Sequence, residues 1–327
     1  MLVRYTASEC RMSKKTIAKI WCFVISAAAA TAFFSACSMQ STRADPPSAG
    51  PRYGKPTVIG TIRSRDIEES SGIAASRCHP GVLWTHNDSG DDAFIYAIDL
   101  SGESLGTWEV PNVENIDWED IAESKDPSGK CLIYIGEIGD NKSRRQEHAV
   151  YRIAEPDTTH SDRDSDRKHP QQTGAAEVVR FVYPDYNQNA ETLMVHPSTG
   201  DIYILTKRVS GPAGVYRLKP AFNNNAVAKL EKVTEISVPA IPNGLLTGGD
   251  ISPDGKRVVL CDYTQGYELR LPDGAANFDE IWQQTPEPVE LGKREHGEGI
   301  AYSMDGTSIF ADSEGKKSPI IEVKILK

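Results

Sequence analysis

The sequence lacks the motifs of the best-known enzyme classes. No GxSxG elbow, GxGxxG turn, phosphate-binding loop or HExxH helix follows a strand-like run. Cysteine is scarce, with six residues in 327, and no CxxC or Cys/His spacing indicates a zinc site. Helical periodicity is nearly absent too, and only residues 277–283 could form one or two turns. The sequence therefore indicates no organic cofactor and predicts an all-β chain.

The chain also lacks an excess of basic residues. It has 36 Lys and Arg against 46 Asp and Glu, a formal net charge of −10. This balance argues against nucleic acid as a partner and provides no basic patch for anionic lipid. With 39% hydrophobic residues, the chain can bury a sizeable core. We expect a monomer whose partner is a small molecule or another envelope protein.

The first 37 residues are typical of a bacterial lipoprotein signal peptide. Lys14, Lys15 and Lys19 precede an apolar run at residues 20–34, and residues 34–37 resemble a lipobox that ends in Cys37. Ordinary secretion and a retained anchor helix are the alternatives. We predict a start at Met12, lipidation of Cys37 and an extracytoplasmic location, anchored by lipid to a bacterial membrane.

Signal removal would leave a more acidic protein on a tether. Residues 1–37 carry five basic side chains and one acidic side chain, so the formal charge would move from −10 to −14. Residues 38–55 are rich in Ser, Pro and Gly, which predicts a flexible tether. Residues 56–327 would form the folded domain.

An acidic residue and a short apolar strand recur five times in that domain. Each strand then ends in a turn rich in Pro or Gly, and the intervals between the aligned strands are 48, 72, 58 and 49 residues. Residues 155–174 lengthen the second interval; they are polar and aperiodic, and we interpret them as a disordered surface insertion. The remaining period of about 50 residues, built only from strands, predicts a β-propeller.

Each repeat divides into strands a, b, c and d, but the last repeat ends after strand c. An additional strand near residues 57–64 could supply the missing strand d and close the ring. This closure favours five blades. Six blades are the alternative if the 58-residue interval contains irregular strands.

The topology of a propeller predicts where the acidic residues lie. The d–a and b–c loops open on one face, here called the upper face, and the a–b turns lie on the opposite, lower face. The candidate metal ligands on the upper face are Glu69, Glu119, Glu191, Asp250 and Glu298. The candidate ligand-binding residues there are Asn87, Asp140, Asn141, Lys207 and Glu314.

This arrangement has chemical consequences. Carboxylates crowded near one axis raise their own pKa values or recruit a cation, and an oxygen-only donor set favours Ca²⁺ or Mg²⁺. The structural alternative is that each carboxylate accepts backbone N–H bonds and fixes blade packing. Lys207 could be a counter-ion or could contact an anionic substrate. The candidate general bases are His86, Asp88 and Glu137, and His86 could instead be a hydrogen-bonding loop residue.

The remaining cysteines suit an oxidising compartment. Cys78 and Cys131 lie near corresponding turns of adjacent repeats, so a disulfide between them is an open alternative. Cys261 lies in the apolar run Val-Val-Leu-Cys, which is typical of a buried cysteine.

Seven motifs occur in a fixed order between about residues 66 and 315. They are ESSG, HNDSG, DWEDIA, IGDN, NAE, GGDISPDG and SEG. Together they resemble a group of secreted or lipid-anchored bacterial propeller proteins. At greater distance the chain is similar to calcium-dependent propellers such as gluconolactonase-type lactonases and phytase-like esterases. That resemblance implies a divalent ion at the top of the channel, held by Glu, Asn and Asp side chains.

Two functions follow as hypotheses. In the first, a non-catalytic propeller binds a ligand or an envelope partner on its upper face, with an acidic ring that is structural or calcium-stabilised. In the second, a divalent-metal-dependent hydrolase acts on a lactone, ester or phosphoester. Glu69, Glu119, Glu191 and Glu298 would then hold the cation, which would polarise the scissile group.

Overall fold

The computed structural model describes residues 52–222 and 225–326, which form five blades of a β-propeller. The predicted all-β fold with five blades is confirmed. The predicted signal peptide, Cys37 and most of the predicted tether lie outside the described residues. Within the described part of the chain, no helix is long and apolar enough to cross a membrane.

Each blade is an antiparallel sheet of four principal strands, a to d. Blade 1 comprises Ser70–Ala75, Val82–Asn87, Phe94–Asp99 and Ser104–Glu109. Blade 2 comprises Trp118–Lys125, Cys131–Glu137, His148–Ala154 and Glu177–Val182. Blade 3 comprises Ala190–Val195, Ile202–Thr206, Ala213–Leu218 and Glu231–Ile236.

The remaining two blades complete the ring. Blade 4 comprises Gly248–Ile251, Arg257–Cys261, Gly266–Arg270 and Glu287–Val289, with a 3₁₀ helix at Phe278–Gln283 before its last strand. Blade 5 comprises Ile300–Tyr302, Ser308–Ala311, Pro319–Leu326 and Thr57–Thr61. The a strands of successive blades contact one another around the whole ring, so they line the central channel.

The N-terminal strand closes the ring, as the sequence predicts. Thr57–Thr61 pairs antiparallel with Pro319–Leu326 and supplies strand d of blade 5. Arg52–Tyr53, at the end of the predicted tether, pairs with the far end of the same strand. Closure by both ends of the chain satisfies the outer edge of the last blade.

Apolar side chains pack between neighbouring blades rather than in one central core. Five clusters of buried residues each join two adjacent blades, and the largest buried side chains include Trp84 and Trp118. The strands are buried on both faces because every sheet is sandwiched between two others. This explains the nearly continuous apolar b strands, such as Ile202–Thr206.

Residues 155–174 differ from the predicted disordered insertion. Gln171–Gln172 forms a short strand parallel to strand d of blade 1, and Arg167 bonds to Asp91 at 3.1 Å. A comparable two-residue strand, Ala228–Lys229, pairs parallel with strand d of blade 2. The polar composition of residues 155–174 suggested disorder. Their order depends on contacts with residues far away in the sequence, which composition does not reveal.

The three described cysteines form one disulfide and leave one free thiol. Cys78 and Cys131 form a disulfide that joins blades 1 and 2, with Cα atoms 6.1 Å apart. Cys261 is buried and free, and burial raises the pKa of its thiol to about 12.

Candidate functional site

Three glutamates reach the upper end of the channel from the same position in three blades. Glu119 and Glu191 stand two residues before Ile121 and Leu193, and Glu298 stands two residues before Ile300. In blades 2 and 3 the pairing register shifts at this position, between residues 118 and 120 and between residues 190 and 192. Such bulges re-aim a side chain at the end of a strand. All three glutamates are buried.

We call these three glutamates, with Asp88, Asp117 and Lys207, the mouth cluster. Burial raises the pKa of Glu119, and the Glu191 charge raises it further. The pKa values of Glu191 and Glu298 are also raised, first by burial. Charged carboxylates are therefore costly in this cluster unless a cation compensates them.

Lys207 provides part of that compensation. It follows strand b of blade 3, and its ammonium group forms an ion pair with the carboxylate of Glu191. Its Nζ atom also lies 4.9 Å from the centre of the Tyr263 ring. Glu191 and Glu298 raise the pKa of Lys207, which supports its predicted role as an internal counter-ion.

Asp88, Asp117 and Glu119 form the tightest group of carboxylates in the mouth cluster. One oxygen from each side chain lies within 4.8 Å of the others. Burial and the nearby Asp88 charge raise the pKa of Asp117 to about 6. Three oxygen donors at this spacing are suited to a hard divalent cation.

Gly139 makes this grouping sterically possible. A Cβ atom on Gly139 would overlap the carboxylates of both Glu119 and Asp117. The IGDN motif thus places a residue without a side chain where two acidic groups converge. Asn115 organises the loop opposite, because its side chain accepts a bond from the Trp118 backbone N–H and donates to the Asp88 carbonyl.

A second group of possible ligands, near blade 5, shares Glu298 with the mouth cluster. His296, Glu298 and Glu314 each offer one ligand atom within 4.8 Å of the others. The Nδ1 atom of His296 lies 2.8 Å from a Glu314 carboxylate oxygen, and its ring packs 4.1 Å from that of Tyr263. The predicted ligand Glu314 is therefore paired with a histidine in this structure.

Glu69 lies at the rim of this group. Its side chain is exposed, and burial together with the charges of Asp88 and Glu314 raises its pKa. Glu69 stands four residues before Ile73, so it is not equivalent to the three buried glutamates.

Several predicted site residues instead form hydrogen bonds that fix the conformation of loops. The Asn87 side chain accepts the backbone N–H groups of Glu68 and Glu69 and donates to Asp91. Glu137 is buried; it accepts the N–H groups of Ile116 and Asp117 and forms an ion pair with Arg145 at 2.6 Å. These contacts correspond to the structural alternative, because the carboxylate and amide oxygens already have partners.

His86, Asp140 and Asn141 also differ from their predicted roles. His86 is fully buried against Trp118, and burial lowers the pKa of its imidazole. A group without solvent contact is poorly placed to act as a general base on a ligand. Asp140 accepts the Arg145 backbone N–H, and the exposed Asn141 accepts a bond from Asn189.

Asp250 does not join the mouth cluster. It stands one residue before Ile251, and its carboxylate forms an ion pair with Arg77 at 2.8 Å and accepts the Tyr302 N–H at 2.9 Å. Arg77 follows strand a of blade 1, so this pair lies towards the lower end of the channel. Asp250 therefore lies apart from the other four predicted blade-start acids.

Arg77 is a structural residue that the sequence did not single out. Its guanidinium also donates to the Tyr302 carbonyl at 3.0 Å, and its backbone N–H donates to Glu123 at 2.7 Å. It thereby connects blade 1 with blades 2, 4 and 5. The available signal was an arginine directly before the Cys-His-Pro-Gly turn.

No protein-family model and no curated protein matches the chain. Among solved structures it is similar to a gluconolactonase from Xanthomonas campestris, with 11% identity over 85% of this chain and 96% of that chain and a TM-score of 0.42. It is also similar to a chain of a nidogen/laminin complex, with 13% identity over 76% of this chain and 73% of that chain and a TM-score of 0.41. At this level of similarity, neither protein's activity is transferred to the chain.

Proposed function

We propose that the protein binds a small ligand or an envelope partner at the upper end of its channel, through a divalent cation held by the mouth cluster. The observation that carries this proposal is the convergence of three buried glutamates from equivalent positions around Lys207, which forms an ion pair with Glu191. We include the location in this proposal. The protein would act outside the cytoplasm, like the secreted bacterial propellers that its motifs resemble.

The proposed cation ligands are Asp88, Asp117 and Glu119. Their oxygen atoms are within 4.8 Å of one another, and the missing side chain of Gly139 leaves space for two of the three carboxylates. Oxygen-only coordination by carboxylates suits Ca²⁺, and Mg²⁺ is the smaller alternative. The open side of such a site would be where a ligand oxygen binds.

Thermal and chemical unfolding with Ca²⁺, Mg²⁺ or EDTA tests the proposal. A cation present at 100 times its Kd should raise the free energy of unfolding by about 2.7 kcal/mol. Asp117→Asn and Glu119→Gln should each abolish most of this gain. Asp273→Asn, at an exposed turn of blade 4, is the matched control and should retain it. If neither the cations nor the chelator changes unfolding of the wild-type chain, the proposal is wrong.

One observation favours a second candidate, a metal-assisted hydrolase. Asp88, Asp117 and Glu119 place three carboxylate oxygens within 4.8 Å of one another at the upper end of the channel. A divalent cation held there would lower the pKa of a bound water, which could then attack an ester or phosphoester. Asp88 is the sequence-predicted base that is still suitably placed. Cation-dependent turnover of a lactone or phosphoester panel, lost in Asp117→Asn, would support this candidate over simple binding.

A further inference from the structure

A separate set of metal-binding side chains lies on the lower face of the propeller. Cys78 lies in the a–b turn of blade 1, and Cys131 is the first residue of strand b in blade 2. A carboxylate oxygen of Glu155 lies within 4.8 Å of both sulfur atoms. The Nε2 atom of His79 lies 3.9 Å from Glu155 Oε2. Two sulfurs and one carboxylate therefore lie close together, and the His79 imidazole lies on the Glu155 side of this group.

The carboxylate of Glu155 is buried and fixed by a hydrogen bond to one of its oxygens, as carboxylates that bind metals usually are. Only 2% of its side chain is exposed, and its Oε1 atom accepts the indole N–H of Trp84 at 2.8 Å. Among the described residues, no N–H group bonds to its Oε2 atom, and the carboxyl group of Glu123 lies against Glu155. Outer-shell bonds of this kind orient the carboxylate and leave one oxygen for a ligand.

Glu123 lies against Glu155 at the edge of this group. Burial and then the Glu155 charge raise the pKa of Glu123 to about 9. The Arg77 backbone N–H donates to the Glu123 side chain at 2.7 Å and holds it in place.

We propose that reduction of the Cys78–Cys131 disulfide converts this corner into a Zn²⁺ site. Its ligands would be the two cysteine sulfurs, His79 Nε2 and the carboxylate of Glu155. Thiolate and imidazole donors with one carboxylate make a four-ligand set that zinc prefers and that Ca²⁺ and Mg²⁺ do not. This site is distinct from the mouth cluster in its chemistry and in the face it occupies.

The chemistry of the conversion balances with a phosphine as the reductant. The phosphine attacks one sulfur and breaks the S–S bond, and water converts it to the phosphine oxide as the second sulfur takes up a proton. Two thiols result. Zinc binding then releases both thiol protons and forms two Zn–S bonds of about 2.3 Å.

The geometry allows this change without movement of the blades. Tetrahedral coordination needs the two sulfurs about 3.8 Å apart, which side-chain rotation can provide from Cα atoms 6.1 Å apart. Cys78 is exposed and the His79 side chain is 27% exposed, so both reductant and metal have access.

The experiment uses the full chain with Co²⁺ as a spectroscopic substitute for Zn²⁺. After phosphine reduction, one equivalent of Co²⁺ should produce a thiolate-to-cobalt charge-transfer band and the strong visible bands of tetrahedral cobalt. Zn²⁺ should bleach both. The oxidised chain should show neither, and cobalt bound at the upper carboxylates would lack the charge-transfer band. A reduced chain without that band overturns the proposal.

Variants identify the ligands. Cys131→Ser should abolish the charge-transfer band, and Glu155→Gln and His79→Asn should each weaken Co²⁺ binding at least tenfold. Glu123→Gln is the matched control, because Glu123 is a buried neighbour of Glu155 outside the proposed ligand set and Gln keeps its size, so this variant should bind as the wild type does. Unchanged affinity in both Glu155→Gln and His79→Asn would refute the assignment. Loss of native circular dichroism on reduction, without recovery on adding Zn²⁺, would also refute it.

Discussion

The two ends of the central channel treat buried charge in opposite ways. At the lower end, Arg77 and Asp250 form a buried ion pair, and the Nη1 atom of Arg77 donates to the backbone carbonyls of Tyr302 and Ser303. At the upper end, three buried glutamates lie near Lys207, which forms an ion pair with Glu191. The lower end thus pairs one acid with one arginine, whereas the acids at the upper end outnumber Lys207, so ionising all of them requires a cation from solution. Function is expected at the upper end for this reason.

Removing the arginine should have the largest effect on stability. Arg77→Met should lower the free energy of unfolding by about 3–5 kcal/mol, because Asp250 would stay buried without its counter-ion. Urea unfolding measures this change. Asp250→Asn in the same chain should recover part of the loss, since no buried charge then remains.

The exposed pair Arg63–Glu103 provides the control for that experiment. Its side chains are 66% and 48% exposed, so Arg63→Met should cost about 0–1 kcal/mol. A loss in Arg77→Met no greater than that in Arg63→Met would remove the distinction between the two ends.

A smaller effect of opposite sign is expected at the upper end. The pKa of Asp117 is raised to about 6 in the folded chain, above its value of about 4 when unfolded. The folded chain therefore holds the Asp117 proton more tightly than the unfolded chain does. The resulting contribution to stability is complete below pH 4 and is lost as the pH rises through 6. Without a cation, Asp117→Asn should match the wild type near pH 4. At pH 7 it should be more stable by about 1–2 kcal/mol, after allowance for its partial exposure.

Urea unfolding at pH 4, 5.5 and 7 measures that difference. Saturating Ca²⁺ at pH 7 should reverse its sign, because the wild-type chain gains most of its binding energy through Asp117 and the variant does not. An Asn variant less stable than the wild type at pH 7 without a cation would mean that the Asp117 charge is already compensated within the chain.

The smallest stability change is expected at Gly139. In Gly139→Ala, the new methyl group would displace the carboxylate groups of Glu119 and Asp117, and side-chain rotation can absorb this shift without moving the backbone. The free energy of unfolding should change by less than about 1 kcal/mol. Cation affinity should nevertheless fall at least tenfold in a calorimetric titration. Gly174→Ala, where a Cβ meets no neighbour, should change neither quantity.

The propeller itself could be predicted from local patterns. The five strand-turn units, the period near 50 residues and the strand at residues 57–61 are all visible in the sequence. The segment at residues 155–174 could not be predicted, since its order depends on Arg167 and on pairing with strand d of blade 1.

The site was only partly predictable, because it depends on register. Glu119, Glu191 and Glu298 share one offset from the following apolar residue, whereas Asp250 stands one residue nearer to it. A shift of one residue turns a strand side chain to the opposite face. Asp120 has the same offset as Asp250, and it too bonds a neighbouring blade, through the Leu193 N–H. Counting offsets in the sequence would have separated these two groups.

The sequence by itself determined the fold and the face on which the acidic loops meet, because strand period and turn residues are local properties. The tertiary structure decided which acids converge, which are already hydrogen-bonded and which charge is balanced. It also brought Cys78, His79, Cys131 and Glu155 together, although no spacing in the sequence indicates a zinc site. Both outcomes depend on distances between separate blades, and these are fixed only when the ring closes.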